Sequence, residues 1–223
     1  MELAILILLA LLLMTVSFGY LIAGDLAGGR WTEKLGTAVG KHRKTLIFLV
    51  LAWGLLSAVA IVLVRVYPSN TLIANMKLIV LLAVLVTVAV TDMREMIIPN
   101  RVILAGLVLR AALATAELLT LRKAYLKLLR GELLAVGLVA IVFLLGVLIV
   151  KNGIGMGDIK LMLVMGLFQG LYGLISALFF SLTVSFFIAI AMLIAKKKTR
   201  KDAIPFAPSV LIGTTISVFL TGM

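Results

Sequence analysis

Two long apolar runs are separated by the stretch Gly153-Ile154-Gly155-Met156-Gly157-Asp158-Ile159-Lys160. Three glycines within five residues break a helix at this point and let another segment approach the backbone closely. Asp158 follows them at the threshold of the next apolar run. A carboxylate at a membrane boundary is costly, which favours a functional role. The plainer interpretation makes Asp158 the N-cap of the following helix.

The composition is that of a membrane protein. The chain is 64% hydrophobic and 13% charged, with a mean hydropathy of +1.28, whereas about a quarter of a soluble domain is charged. It has no cysteine and one histidine, His42, which excludes disulfides, thiol nucleophiles and zinc sites built from cysteine or several histidines. The net charge of +12 lies mostly in loops. We therefore expect contact with anionic lipid and not with nucleic acid.

The apolar runs predict an all-α bundle of about eight transmembrane helices that forms a single domain over residues 1–223. The sixth run is shorter than the roughly 20 residues that a span needs, so Asp158 is expected slightly inside the membrane. The predicted spans are residues 2–23, 45–65, 72–91, 101–119, 132–150, 159–171, 173–195 and 205–222.

The loop charges predict an N-terminus outside the cell. In that orientation the inside loops are 24–44, 92–101, 151–160 and 196–204, and they hold fourteen of the 21 Lys and Arg residues. One basic segment, residues 120–131, falls outside. Its charged and apolar residues lie on different helical faces, which predicts a short interfacial helix lying on the membrane.

A second carboxylate, Asp92, closes the third span. Pro99 forces Ile98 out of helical geometry and can begin the next helix. Asp92 and Asp158 are therefore expected at the same membrane face. Two carboxylates within hydrogen-bond reach share one proton, so one can take a proton from water while the other gives a proton to a carbonyl oxygen. This is aspartic-protease chemistry, and it needs no metal, thiol or cofactor.

Three motifs carry a resemblance over roughly residues 72–222. They are Asp92 followed by Ile98-Pro99-Asn100, then Gly155-Met156-Gly157-Asp158 with Lys160, then Pro205-Phe206-Ala207-Pro208. In this order they resemble the type IV prepilin peptidase family, the GxGD membrane aspartic proteases of bacteria and archaea. The resemblance implies that Asp92 and Asp158 are catalytic and that the active site faces the cytoplasm.

The resemblance also implies a substrate and a location. Family members remove the short basic leader from prepilin or preflagellin-like proteins at the cytoplasmic face of the inner, cytoplasmic membrane. The expected partners are therefore such a substrate and membrane lipids. The residues expected to bind substrate or line the site are Gly155, Gly157, Lys160, Pro99, Asn100, Pro205 and Pro208.

The segment 24–44 departs from the pattern of many bacterial members. They have a large zinc-binding loop with four cysteines there, and they methylate the new N-terminus with S-adenosylmethionine. Here the loop is short and has no cysteine, so the zinc is excluded and no metal is expected. No cofactor is expected, apart from S-adenosylmethionine if methyl transfer is retained. A short-loop or peptidase-only member, archaeal forms included, fits best.

Two other functions compete. In the first, a transporter uses Asp92 and Asp158 as an ion path, together with Arg110, which lies within the fourth span and needs a partner such as Glu117. The second is a protease of the presenilin or signal-peptide-peptidase type. Those proteases have Tyr-Asp and Pro-Ala-Leu motifs, where this chain has Thr91-Asp92 and Pro205-Phe206-Ala207-Pro208, which favours prepilin processing.

Overall fold

The computed structural model describes residues 1–26, 43–149, 155–195 and 204–223. Within these ranges the chain forms helices and no strand. The helices are α1 (Glu2–Leu26), α2 (Arg43–Val66), α3 (Leu72–Glu95), α4 (Asn100–Thr120), α5 (Arg122–Ile149), α6 (Met156–Ile194) and α7 (Ala207–Thr221). Six of them are long and apolar enough to cross a membrane, and α7 is a shorter apolar helix. The predicted all-α polytopic membrane fold is confirmed, and most of the 24–44 loop lies outside the described residues.

Helix α3 is the centre of the bundle. It contacts α1, α2, α4, α6 and α7. In its apolar stretch 83% of the residues are buried, against 17% in α1. A helix that is apolar all round is expected in the interior. The Thr71 hydroxyl begins α3 by accepting a hydrogen bond of 3.2 Å from the Ala74 amide. Asp92 lies in the last turn of this helix, so its position is fixed by the most enclosed element of the fold.

Helix α6 consists of two arms that meet at Gly170. This residue has φ 67° and ψ −172° in an otherwise helical segment, a conformation that is accessible chiefly to glycine. The sixth and seventh predicted spans are thus joined, with a break at Gly170, and the count of eight separate spans is not reproduced. The first arm, residues 156–169, carries Asp158 near its beginning.

The prediction of a separate interfacial helix over residues 120–131 is wrong. Leu121 ends α4, and α5 then runs without interruption from Arg122 to Ile149. The physical reason lies at Glu132, which is 5% exposed and pairs with buried Lys77. Because an ionised side chain inside the bundle needs its partner there, this pairing ties α5 to α3 directly after residues 122–131, which belong to the same continuous helix.

Candidate active site

A cavity of about 500 Å³ lies where four helix ends meet: the end of α3 and the beginnings of α4, α6 and α7. Asp92 and Asp158 both line it, and their carboxyl groups are close enough to interact electrostatically. The structure thus places both predicted aspartates on the wall of one cavity, Asp92 at the end of the third helix and Asp158 at the beginning of the sixth. The other lining residues are Met96, Ile97, Ile98, Asn100, Gly155, Met156, Gly157, Lys160, Ile204, Pro205 and Phe206.

Asp92 is buried, with 6% of its surface exposed. The backbone N–H of Ala207 donates a hydrogen bond of 2.9 Å to its Oδ2. Ala207 begins α7, and Pro208 follows within the first turn. The first amides of a helix lack intrahelical acceptors and carry partial positive charge, so they stabilise a carboxylate. Asp92 therefore caps a helix that lies 115 residues further along the chain.

Asp158 is half-buried and lies in the first turn of α6. Its side chain folds back over Gly155, the residue that precedes the helix. A β-carbon at Gly155 would stand 2.8 Å from Asp158 Oδ2, closer than two such atoms can approach. The absence of a side chain at Gly155 is therefore what gives the Asp158 carboxyl group its place at the cavity wall.

Gly157 allows α6 to approach the loop after α3. A β-carbon at Gly157 would stand 3.0 Å from the Ile98 β-carbon. The loop itself is shaped by Met96, a non-glycine residue with φ 53°, and by Pro99, which precedes α4 in extended geometry. A left-handed residue beside a polar cavity indicates local strain that the surrounding packing maintains.

Lys160 and Asn100 join the beginnings of α6 and α4. The Lys160 Nζ donates a hydrogen bond of 2.9 Å to Asn100 Oδ1. Both residues line the cavity, and the bond holds a positive charge within two residues of Asp158. A cation there attracts the developing negative charge of a reaction, although the pair is partly exposed and its contribution is modest.

The predicted prolines have different positions. Pro205 lines the cavity, whereas Pro99 and Pro208 lie at the beginnings of α4 and α7 and do not contribute to its wall. Sequence reasoning missed the Ala207 amide and the loop residues Met96 and Ile97. The sequence signal for the Ala207 amide is Pro208, because a proline marks the first turn of a helix and the amides of that turn need an acceptor.

Within the described part of the chain, no group of three or more His, Cys, Asp or Glu side chains could hold a metal ion. The cavity instead offers two interacting carboxyl groups, one lysine and an otherwise uncharged lining. Such a pair can position a water molecule and exchange protons with it. The fold and site together define a polytopic membrane protein with an acid pair in a polar cavity at one end of the helical bundle.

Comparison with known proteins agrees with this class. The profile of the Type IV leader peptidase family matches residues 79–194, a range that includes both Asp92 and Asp158. The chain belongs to this family. It is 30% identical over 139 residues to the prepilin leader peptidase/N-methyltransferase of Bacillus subtilis (strain 168). That match covers 62% of this chain and 53% of the relative, so the chain spans about half the length of that protein. No solved structure matches.

Proposed function

We propose that this protein is an aspartic endopeptidase that removes the short basic leader from type IV prepilin-like or preflagellin-like proteins, with Asp92 and Asp158 activating water. The observation that carries the proposal is the joint placement of the two carboxyl groups in one cavity. Family membership and the name of the Bacillus relative support the substrate class.

The contacts of the two acids suggest different roles in the first step. Asp92 accepts a hydrogen bond from the Ala207 amide, which stabilises a carboxylate, so we assign it as the base that takes a proton from water. The water oxygen then attacks the carbonyl carbon of the scissile peptide. Asp158 gives its proton to the carbonyl oxygen. The resulting gem-diol collapses as the C–N bond breaks, and the leaving nitrogen receives a proton from the acid pair.

The glycines at the cavity fit a peptide substrate. Gly155 and Gly157 leave the wall beside Asp158 free of side chains, so an extended backbone can come close to the carboxyl group. The ionised Asp92 carboxylate adds a negative charge to the cavity wall at this end of the bundle, which favours a basic leader beside it. By the distribution of Lys and Arg among the loops, this end faces the cytoplasm. We therefore place the reaction at the cytoplasmic surface of the cell membrane.

An ion path is less well supported. Between Lys77 and Asp92, residues 78–86 of α3 are apolar and buried, and an ion would have to cross this layer. Proteases of the presenilin type remain the closer alternative, because they use the same pair of acids. The two kinds of protease differ in where they cut: inside a span for the presenilin type, and before the span for a leader peptidase.

The test uses the purified protein in liposomes with a type IV prepilin from the same cell. Mass spectrometry of the new N-terminus reports where the chain is cut. The variants are Asp92→Asn and Asp158→Asn, with Glu95→Gln as the matched control. Glu95 lies on the same helix as Asp92, is exposed and does not line the cavity, so this control removes one negative charge without changing the acid pair.

We expect cleavage after the leader by the wild type and by Glu95→Gln, and none by either Asn variant. Cleavage inside the apolar segment would favour the presenilin type. Substantial activity in Asp92→Asn or Asp158→Asn would contradict the acid pair. A parallel reaction with S-adenosylmethionine tests methyl transfer, because a methylated product differs in mass from the simple cleavage product.

A further inference from the structure

A closed ring of four charged side chains lies inside the bundle, toward the end opposite the acid pair. Lys77 Nζ is 2.9 Å from Glu117 Oε1 and 3.1 Å from Glu132 Oε1. Arg110 Nη2 is 3.0 Å from Glu117 Oε2 and also contacts Glu132 Oε1. Positive and negative groups alternate around the ring, which carries no net charge. Each of the four residues is at most 7% exposed.

The charge ring, defined as Lys77, Arg110, Glu117 and Glu132, joins three helices. Lys77 belongs to α3, Arg110 and Glu117 to α4, and Glu132 to α5. The predicted pairing of Arg110 with Glu117 is confirmed by the 3.0 Å contact. The contacts with Glu132 and Lys77 are additional. Since each charge is costly inside a membrane unless it is paired, the ring fixes the three helices relative to one another.

The charge ring also reaches the break in α6. Arg110 Nε donates a hydrogen bond of 2.7 Å to the carbonyl oxygen of Leu167, which lies in the last turn before Gly170. Carbonyls at the end of a helical segment lack intrahelical donors. Arg110 therefore binds the far end of the arm that carries Asp158. The planar guanidinium group spreads five donors in a fixed fork over the Leu167 carbonyl and both glutamates, whereas an ammonium group is one compact charge at the end of a flexible stem.

We propose that the charge ring positions the two acids, with Arg110 as the residue that sets the arm of α6 against α3. Lys77 lies about 22 Å from Asp92 along α3, and Leu167 about 14 Å from Asp158 along the first arm, at 1.5 Å per residue. Each helix bears an acid at one end and is held by the charge ring at the other. A shift at Leu167 is carried along a stiff helix to Asp158. The inference rests on the proposed function for its kinetic part only.

The test combines cleavage kinetics with a distance reporter. Arg110→Lys keeps the charge but loses the simultaneous contacts. We expect its kcat to fall about tenfold or more, because small misplacements of catalytic groups have large effects on rate, with KM unchanged. The reporter is Ile98→Cys with Gly157→Cys in a chain that has no other cysteine. The two β-carbon positions are 3.0 Å apart, so the loop at Ile98 must move by about 0.5 Å to reach the roughly 3.5–4.5 Å of a disulfide, and the oxidation rate reports how readily it does. Arg110→Lys should slow oxidation of this pair severalfold.

The control is Arg65→Lys, the same substitution at an exposed position of α2, which should change neither readout. A folded Arg110→Lys protein with wild-type kcat and wild-type oxidation rate would overturn the proposal, since a purely stabilising role moves neither. If Arg110→Lys does not fold, the same two readouts, kcat and oxidation rate, are measured for Lys77→Met/Glu132→Gln. This variant is balanced because it removes one positive and one negative charge from the ring. If the wild type cleaves no prepilin, the proposed function fails, and the oxidation rates still decide the role of the charge ring.

Discussion

In the part of the chain that the structure describes, the buried ionisable groups belong to the acid pair and the charge ring, and these two sites are built differently. The charge ring pairs every acid with two bases, so its charges are neutralised internally. In the acid pair two like groups line one cavity, and a backbone amide donates a hydrogen bond to Asp92. The first arrangement stabilises, and the second leaves two groups able to exchange protons. The following changes test that difference.

The largest effect is expected at Asp92. Asp92→Asn should lower the cleavage rate by about 10²–10⁴-fold but keep an oxygen that accepts the Ala207 hydrogen bond. Asp92→Ala should lose the same activity and also the cap, which contributes about 1 kcal/mol to the free energy of unfolding. Cleavage assays and unfolding in mixed detergent micelles measure the two effects. Equal stability of the Asn and Ala variants would show that the hydrogen bond to α7 contributes nothing.

At the charge ring the expected effect is on stability. Glu132→Gln leaves positive charge uncompensated and should lower the free energy of unfolding by about 3–5 kcal/mol. The balanced variant Lys77→Met/Glu132→Gln should lose much less, because the Arg110–Glu117 pair remains. A double-mutant cycle on the unfolding free energies measures the coupling. Additive losses in the double variant would mean that the four charges do not act as one network.

The glycines beside Asp158 should separate activity from stability on a smaller scale. Gly155→Ala displaces only the end of the Asp158 side chain, so we expect activity to fall about tenfold to a hundredfold with the fold intact. The new β-carbon of Gly157→Ala meets the Ile98 β-carbon, so this variant should lose both activity and stability. Gly54→Ala, in α2 with nothing within 4 Å, is the matched control. Unchanged cleavage in Gly155→Ala would place the Asp158 carboxyl group elsewhere during catalysis.

The smallest effect is expected at Lys160. Lys160→Met removes its hydrogen bond to Asn100, and a partly exposed bond of this kind contributes about 0.5–1.5 kcal/mol, or roughly twofold to tenfold in rate. Asn100→Ala removes the other partner and should give a similar loss. If Lys160→Met is much more damaging than Asn100→Ala, the lysine acts on the substrate directly and not through Asn100.

Local sequence patterns predicted part of the fold and part of the candidate site. The apolar runs predicted the helices, and glycine and aspartate spacing predicted the pair of Asp92 and Asp158. Arg110 and Glu117 are seven residues apart, which places them on one face of a helix, so their contact was also predictable. The catalytic role of the acids stays a prediction until the variants are assayed.

Contacts between distant segments could not be predicted in the same way. The Ala207 amide that binds Asp92 is a backbone group with no sequence signature of its own. Glu132 gave no sign of a partner 22 and 55 residues earlier, and the pattern of residues 120–131 did not show that they continue into one long helix with it. Gly170 is one of several glycines in apolar runs, and its backbone angles depend on the packing around it.

The enclosure of α3 has a consequence for how this sequence can drift over evolutionary time. Neighbouring helices surround α3, whereas α1 keeps most of its surface for lipid. Exchange of Leu for Ile or Phe on the outer side of α1 meets fluid acyl chains, while the same exchange in α3 meets fixed side chains. Among living relatives, α3 should therefore change slowly and in concert with its neighbours, and α1 should change freely as long as it stays apolar.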